Sequence, residues 1–293
     1  MSAGFQARTH IHRINQYFRK TPSCYNPRVS NGSLNAYLKH GHHLVKGWLQ
    51  PGAAHAIVLL SQQQRSANLS GGAAEIGVHH GKLFILLYLL GAKAEPAVAI
   101  DLFSHQHLNV DRSGAGNLDR FKRNLRRHAD LDRLVIHEGD STLLTAEHLL
   151  SLGRGPFRLF SIDGGHTAEI TAHDLSTAEG ALAEGGIVIL DDCFNEAWPG
   201  VSDGVHHYFS QPRTIVPFAI GEGKTFFSQP AFVQRYAAVL KKMDAKAVEH
   251  DFLGNSVVCF NFKPWTLSGW IRKVDAGRMI RRAYHDLLSR LSN

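Results

Sequence analysis

The chain has 293 residues, of which 44% are hydrophobic and 19% are charged, a composition that is typical of a globular protein and excludes a wholly disordered one. Its formal net charge is +7, with the basic residues concentrated at the termini and in Arg120–Arg127. A nucleic-acid-binding surface interleaves basic and aromatic residues, and none can be assembled here, so we predict no nucleic-acid partner.

Cysteine content and hydropathy exclude other classes. Cys24, Cys193 and Cys259 are too few and too scattered for a disulfide framework or a cysteine-type zinc site. The longest apolar run, Leu83–Leu90, is too short to span a bilayer. The N-terminus does not read as a secretory signal. We therefore expect no membrane partner and a cytoplasmic location.

From about residue 72 the sequence alternates short β-rich runs with helical patterns. We predict strands at Ala73–Val78, Ala97–Phe103, Leu134–Glu138, Phe157–Asp163 and Gly186–Asp192. We predict helices at Lys82–Leu90, Leu118–His128, Leu144–Leu152 and Ala168–Glu184. Strands that are nearly continuous in apolar residues are typical of a parallel sheet covered on both faces. The pattern predicts an α/β fold with a doubly wound, mostly parallel, Rossmann-like sheet.

The alternation changes after the fifth predicted strand. Thr214–Ile220 and Thr225–Ser228 are β-rich and are joined by Gly221-Glu222-Gly223-Lys224, which is a hairpin signal. We therefore expect an antiparallel hairpin at the C-terminal side of the sheet. Gly223-Lys224-Thr225 also resembles the end of a phosphate-binding loop, but Phe218 stands where its first glycine is required, so we set that interpretation aside.

These patterns divide the chain into three parts. Residues 1–70 look mainly helical and are predicted to form a lid or a dimer surface. Residues 71–228 form the predicted core. Residues 229–293 are expected to pack on that core, with a helix at Phe232–Lys242, a strand at Val257–Phe262 and a terminal helix near Arg278–Leu291. A homodimer through the terminal extensions is part of this expectation.

The first predicted strand leads into a glycine loop, with Glu75 two residues before Gly77 and with Gly81 at the start of the next helix. Glycine permits a tight turn against a ligand, and the helix N-terminus can hold an anionic group. The segment resembles the E/D-x-G-x-x-x-G signature of class I S-adenosylmethionine-dependent methyltransferases, in which this loop wraps the methionine half of the cofactor. A tight turn without a ligand is the alternative.

Two further strand ends carry residues suited to this cofactor. Asp101 ends the second predicted strand, where its carboxylate can accept both ribose hydroxyls. Asp140 and Ser141 follow the third, and Asp140 is assigned to the adenine amino group. Both aspartates have an alternative role in capping the following helix.

Carboxylates also gather at the ends of the fourth and fifth predicted strands, at Asp163, Asp191 and Asp192. Because neighbouring carboxylates raise one another's pKa, a cation is expected among them. Oxygen ligands of this kind suit Mg²⁺. We therefore predict a divalent metal site, with helix capping as the alternative role for Asp163 and Asp191.

The spacing of these residues resembles the metal site of catechol-type O-methyltransferases, and the Asp-Asp pair resembles that of macrocin-type enzymes acting on natural-product sugars. The resemblance covers about residues 70–228. His166 stands where the catechol enzymes place a catalytic lysine, and the resemblance therefore implies that it is a proton acceptor, with Asp163 beside it. A structural histidine is the alternative role for His166. This chain departs from the catechol pattern at Asp192, which replaces Asn, and at His166, which replaces Lys.

The sequence therefore predicts an enzyme that methylates a hydroxyl on a small metabolite, such as a sugar, a polyketide or a phenolic compound, with S-adenosylmethionine and Mg²⁺. One alternative is a non-catalytic cofactor-binding scaffold or partner subunit on the same fold. Another is a different reaction on that fold, since a fold does not fix a function.

Overall fold

A computed structural model of the protein describes residues 32–262. Its nine strands are β1 Gly72–Ile76, β2 Ala97–Asp101, β3 Leu134–Glu138, β4 Phe157–Ile162, β5 Leu182–Asp191, β6 Val216–Gly221, β7 Lys224–Ser228, β8 Val248–Phe252 and β9 Asn255–Phe260. Its eight α-helices are α1 Gly32–Lys39, α2 Pro51–Ser66, α3 Lys82–Leu90, α4 Leu118–Arg126, α5 Ala146–Gly153, α6 Ala168–Gly180, α7 Pro199–Tyr208 and α8 Pro230–Met243. The strands form one sheet in the order β3-β2-β1-β4-β5-β7-β6-β9-β8.

The first five strands form the parallel part of the sheet, in the order β3-β2-β1-β4-β5. Every residue of β1 and β4 is buried, as expected for apolar strands covered by helices on both faces. The chain reverses its direction of winding between β1 and β4. In such a sheet a ligand binds at the carboxyl ends of the strands near this reversal. The predicted fold class is confirmed.

The predicted hairpin is formed by β6 and β7. Glu222 and Gly223 make its turn, both with positive φ, as a tight two-residue hairpin requires. β7 enters the sheet between β5 and β6 and runs antiparallel to both. This pairing places Lys224 directly opposite Asp191, the last residue of β5.

The sheet continues beyond the predicted core. β9 pairs in parallel with β6, and β8 pairs with β9 at the outer edge. The terminal helix predicted near Arg278–Leu291, and residues 1–31, lie outside the described residues. None of the helices within residues 32–262 is both long and apolar enough to cross a membrane.

Some predicted boundaries were wrong. The helix predicted at Ala168–Glu184 ends at Gly180, and β5 begins at Leu182 rather than Gly186, because the chain turns at Ala181 and pairs Leu182 with β4. β8 was not predicted, because most of its residues are exposed and the strand lacks an apolar pattern. α7 was not predicted either, because turn-rich residues directly precede Pro199, where the helix begins.

A buried polar network attaches α2 to the amino end of the sheet. The Arg158 guanidinium is almost fully buried and donates to Ser61 Oγ (2.9 Å) and Gln64 Oε1 (2.9 Å). Beside it, Glu95 accepts hydrogen bonds from Arg65 Nη1 (2.6 Å) and from the backbone N–H groups of Ala92 and Gly71. Burial alone would raise the pKa of Glu95, but these donors lower it to about 2.

Glu95→Gln is expected to lower the free energy of unfolding at pH 7 by about 1–3 kcal/mol, because it removes charge-assisted hydrogen bonds. The folded-state pKa of Glu95 lies below its ordinary value, so its contribution is complete above about pH 4.5 and is lost as the pH falls toward about 2. Urea unfolding of both proteins between pH 7 and pH 2 checks this. The matched control is Glu249→Gln, in an exposed ion pair with Lys241, which should not change stability measurably. A stability difference that does not vary with pH would contradict the assignment.

Candidate active site

A cavity of about 860 Å³ lies at the carboxyl ends of the parallel strands. Five residues that the sequence assigned to a cofactor line it: Glu75, Gly77, Asp101, Asp140 and Ser141. All four residues assigned to the reacting centre line it as well: Asp163, His166, Asp191 and Asp192. The structure therefore brings both predicted groups to one cavity.

The loop after β1 depends on its two glycines. Gly77 has φ +84°, and a Cβ there would overlap the carbonyl oxygen of Asp163, so only glycine lets β1 and β4 end this close together. Gly81 has φ +90° and precedes α3, where a Cβ would press on the Phe121 ring. Gly81 does not line the cavity, so it acts through the shape of the turn.

The Asp101 side chain forms hydrogen bonds with the loops that follow β1 and β2. Its carboxylate oxygens accept hydrogen bonds from His79 N (2.7 Å) and Phe103 N (2.7 Å). Burial raises the pKa of Asp101, and these two donors oppose that effect. Each oxygen keeps a second acceptor position, so the carboxylate can still bind hydroxyl groups of a ligand.

For Asp140 the structure shows the capping role that the sequence left open. Its Oδ1 accepts hydrogen bonds from Thr142 N (2.9 Å) and Thr142 Oγ1 (2.8 Å) at the start of a short 3₁₀ turn. Ser141 Oγ donates to Asp174 Oδ2 (3.2 Å). Both residues line the cavity, and their contact with adenine stays a prediction.

Glu75 lies deeper than the glycine loop it precedes. It is 2% exposed, and its Oε2 has no hydrogen-bond partner among the described residues. Burial and the nearby Asp163 carboxylate raise its pKa well above the ordinary value. The Glu75 carboxyl group therefore interacts with Asp163, which follows β4, and with Asp191, the last residue of β5.

The second part of the cavity contains a compact group of metal-ligand type. One ligand atom from each of Asp163, His166 and Asp192 lies within 4.8 Å of the others. His166 Nε2 is 3.3 Å from Asp192 Oδ2, and Asp192 Oδ1 accepts from Asn195 Nδ2 (2.8 Å). Burial and the neighbouring Asp191 raise the pKa of Asp163. A cation near these carboxylates would relieve their repulsion.

Asp111, which the sequence analysis missed, fixes the position of His166. Asp111 Oδ2 accepts hydrogen bonds from both the backbone N and the ring Nδ1 of His166, each at 2.7 Å. The Trp198 ring stacks on the imidazole with centroids 4.2 Å apart. With Nδ1 held by Asp111, Nε2 is the ring nitrogen that faces Asp192. Asp111 lies in the loop before α4 and carries no motif that could have revealed it.

Asp191 does not join the compact group. Its carboxylate forms an ion pair with the Lys224 ammonium group, which is buried in the same cavity wall. Lys224 is the second residue that the sequence analysis missed. It belongs to the Gly223-Lys224-Thr225 segment that was set aside as a nucleotide loop. The signal that could have found it was the hairpin itself, which places β7 beside β5.

Comparison with known proteins agrees with this geometry. Residues 74–193 match a family model described as a methyltransferase domain. No curated protein matches the sequence. The matched range lies within the core predicted from the sequence, and its description agrees with the predicted methyl-transferring enzyme.

Several solved structures resemble part of the chain. The O-methyltransferase NovP is 17% identical, with 61% of this chain and 80% of NovP covered and a TM-score of 0.49. CalS11, a TDP-rhamnose 3'-O-methyltransferase of calicheamicin biosynthesis, is 16% identical, with 74% and 92% covered and a TM-score of 0.46. The O-methyltransferase from Bacillus cereus in complex with SAH is 16% identical, with 73% and 94% covered and a TM-score of 0.45.

Gly77→Ala is expected to destabilise the protein by about 1–3 kcal/mol and to distort the loop after β1, because the new methyl group meets the Asp163 backbone at a positive φ. Thermal unfolding measures the first effect and cofactor titration the second. Gly155→Ala is the matched control, since Gly155 also has positive φ but a Cβ there meets nothing within 4 Å. Equal losses in both variants would show that the close approach to Asp163 is unimportant.

Proposed function

We propose that this chain is an S-adenosylmethionine-dependent O-methyltransferase that methylates a hydroxyl group on a small metabolite. The observation that carries the proposal is the shared cavity. The glycine loop and Asp101 line it together with the Asp163, His166 and Asp192 group. A methyl donor bound by the loop and Asp101 would have its reactive end beside that group.

The cofactor part of the cavity suits a nucleoside with a charged amino-acid end. The turn at Gly77 and the N-terminus of α3 would hold the methionine half. Asp101 would accept hydrogen bonds from the ribose, while Asp140 and Ser141 would lie at the adenine. The acidic residues beyond the loop favour the positive sulfonium group by Coulomb attraction.

His166 would accept the proton during methyl transfer. As the acceptor oxygen bonds to the methyl group in place of the donor's sulfur, the hydroxyl proton would pass to His166 Nε2. Asp111 holds the ring in place through Nδ1, so Nε2, which faces Asp192, is the ring nitrogen that would take the proton. Transfer of this kind is an in-line displacement, so the positions of donor and acceptor supply most of the acceleration.

We also propose that a divalent cation, of the Mg²⁺ type, assists the reaction. The residues fit it: Asp163 and Asp192 present oxygen ligands close together, and burial beside Asp191 raises the pKa of Asp163, an effect that a cation would offset. When bound, such a cation would orient the acceptor hydroxyl and lower its pKa.

The acceptor is proposed to have apolar surface as well as a hydroxyl. Trp48, Leu108 and Val110 line the cavity although they are 74%, 42% and 67% exposed. Large apolar side chains exposed together at a cavity mark a ligand or partner surface. A phenolic compound or a polyketide fits this wall better than an unsubstituted sugar.

Asp101→Ala is expected to weaken S-adenosylmethionine binding about 10- to 100-fold, because the ribose loses charge-assisted hydrogen bonds. Calorimetric titration with the cofactor measures this. Asp203→Ala, an exposed aspartate on α7, is the control and should bind the cofactor like the wild type. Unchanged affinity in Asp101→Ala would show that the ribose assignment is wrong.

His166→Gln is expected to lower kcat by about 100-fold or more with little change in cofactor affinity, because it removes the proton acceptor. Asp111→Asn should lower kcat less, since the base remains but its orientation is less fixed. The measurement is methyl transfer to a panel of hydroxylated phenolic and sugar acceptors, with product followed by mass spectrometry. Full activity of His166→Gln on an acceptor that the wild type methylates would exclude His166 as the base.

A further inference from the structure

The ion pair between Lys224 and Asp191 has no role in the function proposed so far. Lys224 is the first residue of β7 and is 3% exposed, although lysine is rarely buried without a partner. The β5–β7 register places it opposite Asp191, and its Nζ donates to Asp191 Oδ2. The position of the ion pair is therefore set by the backbone pairing of β5 with β7 as well as by the contact between the two side chains.

Lys224 is surrounded by negative charge. Burial alone would lower the pKa of Lys224, but Asp191 and Asp163 raise it above its ordinary value, and Glu75 acts in the same direction. Each of these three carboxyl groups comes from a different strand, β1, β4 or β5, or from its end. The ammonium group thus lies near Asp163 and Asp191, two of the three residues for which the sequence predicted a metal ion.

Asp191 and Asp192 are adjacent in sequence but serve different partners. Asp191 contacts Lys224. Asp192 has φ +59°, which ends the strand, and its carboxylate contacts His166 and Asn195. A divalent cation that bound Asp191 would also approach the Lys224 ammonium group, and the two positive charges would repel each other.

We propose that Lys224 is a positioning residue of the methyl-transfer site, a cation tethered to β7 that serves as the counter-ion of Asp191 and leaves Asp163 and Asp192 to face a divalent ion. This inference rests on the proposed function. It replaces the predicted ligand set of Asp163, Asp191 and Asp192 by one that omits Asp191. Lys224 then supplies at Asp191 the positive charge that the sequence analysis expected from a metal.

Manganese binding to the full chain tests the proposal without any turnover, with Mn²⁺ as a spin probe read by electron paramagnetic resonance. Asp191→Asn and Asp192→Asn form a matched pair, since they make the same change at adjacent positions. We expect Asp191→Asn to bind Mn²⁺ within about threefold of the wild type and Asp192→Asn to bind it at least about tenfold more weakly. Equal losses in both variants would overturn the proposal.

Lys224→Met supplies the second arm. Removing the ammonium group frees Asp191, so Mn²⁺ affinity should rise about tenfold or more. If the wild type binds no Mn²⁺ but Lys224→Met does, Lys224 occupies the place of the ion instead of leaving a site for it, and the proposal is overturned. If neither protein binds Mn²⁺, no cation position exists beside Lys224 and the proposal fails.

The double variant Asp191→Asn/Lys224→Met is the control for a loss of stability in Lys224→Met. Removing one member of a buried ion pair leaves the charge of the other without a counter-ion. Removing both members leaves no such charge. We expect the double variant to have a higher Tm than Lys224→Met alone, and a Tm equal to or below that of Lys224→Met would contradict the pairing.

Cofactor titration of the wild type separates this inference from the proposed function. A wild type that does not bind S-adenosylmethionine would reject the proposed function whatever the Mn²⁺ pattern. A wild type that binds the cofactor, together with equal Mn²⁺ losses in the two asparagine variants, would reject the role of Lys224 alone.

Discussion

Repulsion among carboxylates at the ends of β1, β4 and β5 is the constraint on which the site depends. Three of them, Glu75, Asp163 and Asp191, lie against each other in a buried wall. Such a cluster disfavours folding unless protons or cations compensate it. The chain compensates it from outside the parallel strands. Lys224 comes from the hairpin, and His166 approaches from the loop after β4.

The antiparallel hairpin thus has a chemical role as well as a structural one. Its two-residue turn fixes the register in which Lys224 lies opposite Asp191. A slip of one residue would direct the lysine to the other face of the sheet, because side chains alternate along a strand. The turn at Glu222–Gly223 therefore fixes the position of a buried positive charge in the wall of the cavity.

Sequence patterns predict the parts of this protein that depend on local chemistry. Apolar strands and glycine turns are local, so the alternating core, the loop at Gly77 and the carboxylates at strand ends could all be predicted. The contacts of Asp111 and Lys224 are not local, since their partners lie 55 and 33 residues away. No motif marks these residue pairs, so predicting them requires the strand order and the path of a loop. The periodicity of apolar residues predicts neither.

The surroundings at the two ends of the sheet shift the pKa values of buried acidic side chains in opposite directions. At the amino end, Glu95 accepts from Arg65 and from backbone N–H groups, and its pKa falls to about 2. At the carboxyl end, Asp163 faces other carboxylates, and its pKa rises. The first arrangement stabilises the fold, whereas the second disfavours ionisation of Asp163 and so costs stability. In the proposed function a positive sulfonium group and a divalent ion would both offset that cost, and the acidic cluster would then contribute to affinity for the reactants.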